Sequence, residues 1–353
     1  MKIKLAILEK DVNYLNRIVS VFSTKYADMF EIYSFTEPAV ALLSLEDAKI
    51  DVLVANEVFE IDVTTLPKRC GFAYFVDSGD IDMKNDQRAI CKFQKADLIY
   101  KQILSVYSEK AGSISGLKLD DETTKICVFN SVSGGTGAST MAAAAAMYFS
   151  AKNKKTLYLN LERFGSSDSF FSGEGQFDMS DIIYALKSKK ANLPLKLESC
   201  VKQDIKGVYF YSQSKIALDM LELGCDEIIR LISELKLTGS YDYIIVDMDF
   251  GIDNNSIKIC KLAHSVVWVG DGSEISNNKI FRAYNAISTI EEKADSPLTN
   301  RICLMYNKFS NKTGKVLADI GVKNIGGAPR YEHASTSQVL EQLCIKDMFN
   351  KIV

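Results

Sequence analysis

The sequence predicts an α/β protein built from two doubly wound, largely parallel sheets, and three observations carry that prediction. The 353 residues exceed what one hydrophobic core usually spans, so two domains are expected. Strand-like and helix-like runs alternate twice, over residues 1–108 and again over 125–353, the pattern of parallel strands with helices on both faces. Between the two alternations lies 109–124, EKAGSISGLKLDDETT, where Gly, Ser and charges break the periodicity and mark a linker.

In the first domain Lys2–Leu8 reads as a strand. Asp11 is placed to cap a helix whose apolar residues Leu15, Ile18, Val19 and Phe22 recur at helical spacing. Phe30–Phe35 is a second strand, followed by a helix ending near Leu45. Asp51–Ala55, Gly71–Val76 and Asp97–Tyr100 are read as the third, fourth and fifth strands. In the second domain strands are expected at Ile126–Asn130, Thr156–Leu161, Gly207–Tyr211, Tyr243–Val246, Ser265–Val269 and Arg301–Tyr306. An alanine-rich helix runs through Phe149.

Composition removes several function classes. The chain is 47% hydrophobic and 25% charged, a folded rather than disordered profile. His264 and His333 are the only histidines, and the eight cysteines contain no CxxC pair. A structural zinc site and a Ser-His-Asp engine are thereby disfavoured, and buried thiols in a reducing cytoplasm are expected. The formal net charge is −3: residues 1–110 hold 14 Lys+Arg against 17 Asp+Glu, and the remainder 28 against 28. Neither half carries the basic excess of a non-specific DNA binder, so no specific DNA binding is expected. The run MKIKLAILEKD is interrupted by acid, and no apolar stretch of 18 residues occurs; neither a signal peptide nor a membrane span is expected.

The most informative segment is Val128-Phe-Asn-Ser-Val-Ser-Gly-Gly-Thr-Gly-Ala-Ser-Thr140. A strand enters three glycines, Gly134, Gly135 and Gly137, and a helix starts on two hydroxyl residues. Glycines let backbone N–H groups turn toward a phosphate, and the helix N-terminus adds positive potential. The spacing is that of a deviant Walker A loop, with Thr136 and Ala138 inside it, Ser139 at the Mg²⁺-ligating hydroxyl and Thr140 at a phosphate oxygen. Both lysines of that motif are missing: Ser133 and Ala138 hold their positions. Four further stations follow in order. Leu157–Glu162 ends a strand with Asn160 and Glu162; Tyr241–Asp247 is an apolar strand ending in an acid able to hold Mg²⁺ through water. Arg301–Lys308 ends in Asn307 and Lys308, and Gly326-Gly-Ala-Pro329-Arg330 is read as a short proline loop.

On these five stations residues 125–353 resemble the MinD/ParA branch of P-loop ATPases. That resemblance implies ATP and Mg²⁺ as cofactors, held by the loop and by Asp247, with Asn307 reading an adenine edge and the Pro329–Arg330 loop flanking the base. Glu162 would orient water. Residues 1–108 resemble a response-regulator receiver of flavodoxin-like topology, and the pair resembles the TadZ/CpaE family of Tad/Flp pilus-assembly proteins. In that alignment Glu9 and Asp11 approximate the acidic pocket, and Asn56 replaces the phosphoacceptor aspartate with Glu57 beside it. Ser78 is the hydroxyl position, and Lys101 the lysine after the fifth strand. A receiver that cannot be phosphorylated and instead docks partners is the expectation.

Losing groups of the lysine kind typically removes about 10²–10³-fold of rate each, whereas loop N–H groups and Mg²⁺ still hold a triphosphate. The resemblance therefore implies an ATP-binding localisation or assembly factor with weak or absent hydrolysis, forming a homodimer supported by nucleotide. Pilus or secretion components would be its partners, and they would recruit it from the cytoplasm to a pole or the inner membrane face. Two alternatives stay open, a nucleotide-free scaffold with a decayed loop and an active partition ATPase. Lys279 is the candidate substitute cation. The C-terminal apolar positions 339, 340, 343, 348, 349 and 352 are expected to pack on the domain rather than enter a membrane.

Overall fold

The computed structural model describes residues 2–110, 124–188, 192–292, 297–318 and 320–352. Two compact units emerge, Met1–Gly116 with Tyr184–Cys200, and Leu117–Ile183 with Val201–Val353. The expected linker 109–124 lies almost wholly outside the described residues.

In the first unit the elements are β1 (Ile3–Leu8), α1 (Val12–Lys25), β2 (Phe30–Phe35), α2 (Pro38–Asp47) and β3 (Val52–Asn56). β4 (Gly71–Val76), β5 (Met83–Lys84), β6 (Gln87–Cys91) and α3 (Ala96–Lys110) follow. Asp11 caps α1 by accepting from the Asn13 and Tyr14 amides, which satisfies two donors that no helical carbonyl can reach. The sheet order is β2-β1-β3-β4-β6-β5, parallel except for the β5–β6 pair. Alternation along β1 divides the core in two. Ile3, Leu5 and Ile7 face a cluster with Leu15, Ile18, Phe22 and Ile103, while Ala6 and Leu8 face Ala41 and Leu45.

One strand assignment is corrected. Asp97–Tyr100 is the start of α3, and the fifth parallel strand is Gln87–Cys91. Ile99, Tyr100, Ile103, Leu104 and Val106 are buried along 15 residues of α3, a helical stripe too long for a strand. QRAIC buries only Ala89 and Ile90 and shows little of the apolar alternation that signals a strand. The helix Leu193–Cys200 also belongs to this unit, against α3. Tyr100 Oη donates to Glu198 at 2.7 Å, the buried Lys196 ammonium to Ser105 Oγ at 2.9 Å, and the Asn192 amide to the Ser108 carbonyl at 2.9 Å. The continuous span 125–353 expected for the second domain is thus interrupted at 184–200.

The second unit is built on β7 (Lys125–Asn130), α4 (Ala138–Ala151) and β8 (Thr156–Asn160). Next in the chain come α5 (Met179–Ser188), which leaves this unit at Tyr184, and α6 (Leu193–Cys200), which belongs to the first unit; the second unit resumes with β9 (Lys202–Gln203), β10 (Tyr209–Phe210), α7 (Ala217–Leu221) and α8 (Cys225–Leu237). β11 (Tyr243–Asp247), α9 (Asn254–Cys260), β12 (Ser265–Gly270), α10 (Glu274–Ile290), β13 (Ile302–Phe309), β14 (Lys323–Pro329) and α11 (Thr336–Leu343) complete it. The sheet order is β14-β13-β12-β7-β11-β8-β10-β9, with only β9 antiparallel to its neighbour. α4 lies on the sheet centre with Ala142 to Ala146 all fully buried; a helix covered all round needs no polar face, and small side chains let it approach closely.

The Gly326–Pro329 segment, expected as a loop, is the second half of β14, with Pro329 paired to Phe309 as its last residue. Proline suits the end of an edge strand because the missing N–H has no ladder bond to make. The C-terminal apolar run forms α11 and a single-turn segment Asp347–Lys351 rather than one helix. Leu340, Leu343, Met348, Phe349 and Ile352 join the core. Among the described residues no helix is long and apolar enough to cross a membrane.

Candidate functional site

In the second unit β7 is flanked by β12 and β11, so strand order reverses about it and a crevice opens at its carboxyl end. The glycine loop occupies that position. Gly135 and Gly137 take left-handed φ values of 78° and 85°, a region that other L-residues enter only at a cost. A side chain built on Gly134 or Gly135 would meet nothing within 4 Å, so this arc of the loop faces open space. Ser131 Oγ fixes the inner side, donating to the Val269 carbonyl at 2.6 Å and accepting from Thr136 Oγ1 at 2.8 Å. Two buried polar atoms at the loop, Asn130 Oδ1 and Ser133 Oγ, have no hydrogen-bond partner among the described residues.

Next to the loop the predicted metal residues converge. Ser139 Oγ donates to Glu162 Oε1 at 3.1 Å. Asn160 Nδ2 reaches Glu162 Oε2 at 3.3 Å and Asp247 Oδ2 at 3.1 Å. Tyr158 Oη donates to Asp247 Oδ2 at 2.7 Å. Asp247 is 1% exposed. Burial, and then the Glu162 charge, push its carboxyl up to about 8, against the opposing hydrogen bonds from Tyr158 and Ser139. The same burial and the Asp247 charge hold the Tyr158 phenol well above its ordinary value. Two carboxylates and a hydroxyl beside an open glycine loop form an oxygen donor set suited to Mg²⁺, and the residues present fit a Mg-nucleotide.

The remaining predicted positions are placed unevenly. Asn307 is buried, and its Nδ2 donates to the Thr136 carbonyl at 2.8 Å, so this amide clasps the loop. Lys308 Nζ donates to the Gly135 carbonyl at 2.7 Å. Ala138 and Thr140 stand half-buried in the first turn of α4, and Pro329 and Arg330 are exposed at the end of β14. Lys279 is exposed on α10 and has no hydrogen bond to the loop. The β8–β10 side of the crevice holds a cavity of about 280 Å³ lined by Asn160, Glu162, Met179, Tyr211, Gln213 and Met220, among others. Sequence reasoning missed it, because its wall is made of loop residues without periodicity. His264 is structural: its Nδ1 accepts from the Ile126 amide at 3.0 Å, and burial lowers its pKa.

In the first unit the switch point lies between β1 and β3. Glu9, after β1, is fully buried, and Asn56 ends β3. Asn56 Nδ2 donates to Glu9 Oε1, and so does the Asp11 amide, at 3.0 Å. The lysine after the fifth strand is Lys92, and not Lys101, which lies within α3. The misplaced strand displaced that assignment. Lys92 Nζ stands 2.7 Å from Asp77 Oδ1 and 3.7 Å from Glu9 Oε2, with its side chain 9% exposed. Burial opposes its charge, yet the Asp77 hydrogen bond and the field of Glu9 hold its pKa above the usual lysine value. Glu57 is drawn away to Lys84 at 2.6 Å, and Ser78 is exposed.

A family model described as TadZ-like, receiver domain, matches residues 1–108. The N-terminal domain is a TadZ-like receiver domain. No curated protein matches the chain. Among solved structures, a ParA family ATPase from Chlorobium tepidum TLS is similar at 21% identity and TM-score 0.50, over 65% of this chain and 96% of that one. A plasmid partition protein from Borrelia burgdorferi matches at 18% identity and TM-score 0.49, over 66% and 100%. The septum site-determining protein MinD from Pyrococcus horikoshii OT3, complexed there with Mg-ADP, matches at 16% identity and TM-score 0.47, over 63% and 94%. The C-terminal domain of this chain has the fold of the ParA family ATPase.

Proposed function

We propose that the protein is an ATP-binding localisation or assembly factor for a Tad/Flp-type pilus or secretion system, with weak or absent ATP hydrolysis. The observation that carries the nucleotide reading is the convergence of Ser139, Glu162 and Asp247 beside an open glycine loop. Loop N–H groups and the α4 N-terminus favour a phosphate there. Gly134, Gly135, Thr136, Gly137, Ala138 and Thr140 would form the cradle. Ser139 and Asp247 would hold Mg²⁺, Asp247 through water, and Mg²⁺ would supply charge neutralisation for the phosphates. Asn307, Lys308, Pro329 and Arg330 are proposed for the nucleotide's remaining contacts. Glu162, hydrogen-bonded to Ser139, would orient water where turnover occurs.

Absence of a lysine at 133 and 138 argues for binding over catalysis, because a transferring phosphoryl group depends on such charges more than a resting one does. Nucleotide would then act as a ligand that supports association of two copies. The TadZ-like receiver domain, with an amide at Asn56 in place of a phosphorylatable acid, supports a docking role for that half. Recruitment by partners at the cytoplasmic side of the membrane is the corresponding localisation.

The test is a titration of Mg-ATP into the full-length protein, followed by calorimetry and thermal melting. A ligand specific to the native state stabilises it by about 3 kcal/mol at a hundredfold excess over Kd. No binding and no shift at millimolar Mg-ATP would replace this reading with the nucleotide-free scaffold. One observation favours that second reading: Tyr158, Asn160, Asp247, Glu162 and Ser139 already close a hydrogen-bond network among themselves. Size-exclusion profiles with and without Mg-ATP test the association.

A further inference from the structure

The loop lacks both of its lysines, yet the folded chain brings a cation to it from the opposite side of β7. Lys308 follows Asn307 near the end of β13, where pairing with β14 shifts register between Tyr306 and Phe309. Its backbone is left-handed, φ 56°, so the strand's in-and-out alternation breaks at this residue. The Asn307 amide, bonded to the Thr136 carbonyl at 2.8 Å, ties the same strand to the loop. The Lys308 ammonium then lands 2.7 Å from the Gly135 carbonyl. A Cβ built on Gly137 would lie 2.5 Å from Asn307 Nδ2 and 3.7 Å from Lys308 Cε, so only glycine at 137 leaves room for this approach.

The geometry points to Lys308 as the phosphate-neutralising cation of this site, supplied from β13 in place of the loop's own lysines; this assignment rests on the nucleotide reading above. Three features separate it from an ordinary surface lysine. Among the described residues no carboxylate pairs with Lys308, and the Gly135 carbonyl is its one hydrogen-bond partner. An ammonium has three donors, which leaves two for phosphate oxygens. The carbonyl it holds belongs to Gly135, in the arc where a side chain built on Gly134 or Gly135 would meet nothing within 4 Å. The loop also keeps Ser133 Oγ buried without a partner, a sign that the polar lining is incomplete in the protein alone. Lys279, the substitute suggested by sequence, stays exposed on α10. The ligand class is a nucleoside di- or triphosphate rather than a nucleoside.

The role is read from affinities of the full-length protein for ATP, ADP and adenosine, measured by calorimetry in the presence of Mg²⁺, for wild type, Lys308→Met and Lys279→Met. One lost charge-assisted hydrogen bond predicts that Lys308→Met weakens ATP about 10- to 100-fold. ADP should lose less, adenosine should be unchanged, and the salt dependence of ATP binding should flatten. Lys279→Met should match wild type. Lys308 is exposed, so the variant should melt as wild type does without ligand. Wild-type ATP binding with an unaltered Lys308→Met affinity overturns the role of Lys308 alone, as does an equal loss for adenosine and ATP or an equal loss in Lys279→Met. A wild type that binds no nucleotide overturns the nucleotide reading and this assignment together.

Discussion

Replacing Lys92 with methionine tests whether the receiver-domain pocket is closed by its own side chains. Methionine keeps most of the aliphatic stem, including its approach to Tyr14 and Phe93, whose rings lie 5.6 and 5.8 Å from the ammonium. What disappears is the charge beside Glu9, a residue with no exposed surface and one oxygen, Oε2, with no hydrogen-bond partner among the described residues. Asp77 is mostly exposed and is rehydrated at little cost, so the loss falls on Glu9. Stranding one partner of a buried pair costs about 3–5 kcal/mol. The 3.7 Å separation and the Asn56 and Asp11 hydrogen bonds to Oε1 argue for the lower end of that range. Adding Glu9→Gln should recover much of the loss at neutral pH, because the stranded charge is gone. Urea unfolding of the four proteins of this cycle at pH 7, following receiver-domain signals, provides the numbers. A loss under about 1 kcal/mol, or additive single substitutions, would refute the reasoning.

Asp247→Asn should flatten the dependence of stability on pH. The wild-type carboxyl, raised to about 8, makes the folded state lose stability between about pH 4 and about pH 8, whereas the amide does not titrate; denaturation from pH 5 to pH 8 without metal checks this. The same variant should lose Mg²⁺-dependent stabilisation by ATP in thermal melts. Gly137→Ala should cost about 1–3 kcal/mol through its left-handed backbone. The substitution also drives a methyl against Asn307 Nδ2, so ATP affinity should fall in calorimetry along with the melting temperature. Where phosphate release is measurable in wild type, Glu162→Gln should abolish it and leave ATP affinity within a few-fold. Incubating the protein with a small-molecule phosphodonor should add no phosphate at the Asn56 pocket, as read by intact mass.

The β7–loop–α4 unit was legible because its chemistry is local: an apolar strand, glycines that φ values of 78° and 85° require, and a helix immediately after. That Ser139, Glu162 and Asp247 would lie close together was legible for a related reason, since each sits at or just beyond the end of an element with a clear periodicity. The fifth receiver strand was not. Only Ala89 and Ile90 are buried there, and its strand character comes from pairing with β4, a contact between residues far apart in sequence. That single misplacement carried the pocket lysine from Lys92 to Lys101. Residues 184–200 were read into the wrong unit for the same reason: what ties Leu193–Cys200 to α3 is Tyr100, Ser105 and Ser108, and no local pattern announces those partners. Lys308 was named only as the neighbour of Asn307; its reach to Gly135 depends on a register shift that has no sequence signature.

The two acidic pockets deal differently with the cost of a buried carboxylate, and the difference bears on what each can bind. In the receiver domain, Glu9 is faced by Lys92, a cation covalently attached to the end of β6. A divalent ion entering there would have to displace an ammonium that also holds Asp77 at 2.7 Å, so the pocket resists metal by competition within the chain. In the ATPase-fold domain, no lysine or arginine among the described residues pairs with Asp247. Burial and Glu162 instead raise its pKa to about 8, so near neutral pH a proton supplies the neutralisation. A proton is mobile, and Mg²⁺ can replace it; a tethered lysine is not so readily exchanged. Binding of Mg-ATP near pH 7 should therefore release protons, and the binding heats measured in buffers of different ionisation enthalpy should reveal that release. Asp247→Asn should remove it. Equal heats in all buffers for wild type would mean that Asp247 is already ionised before the metal arrives.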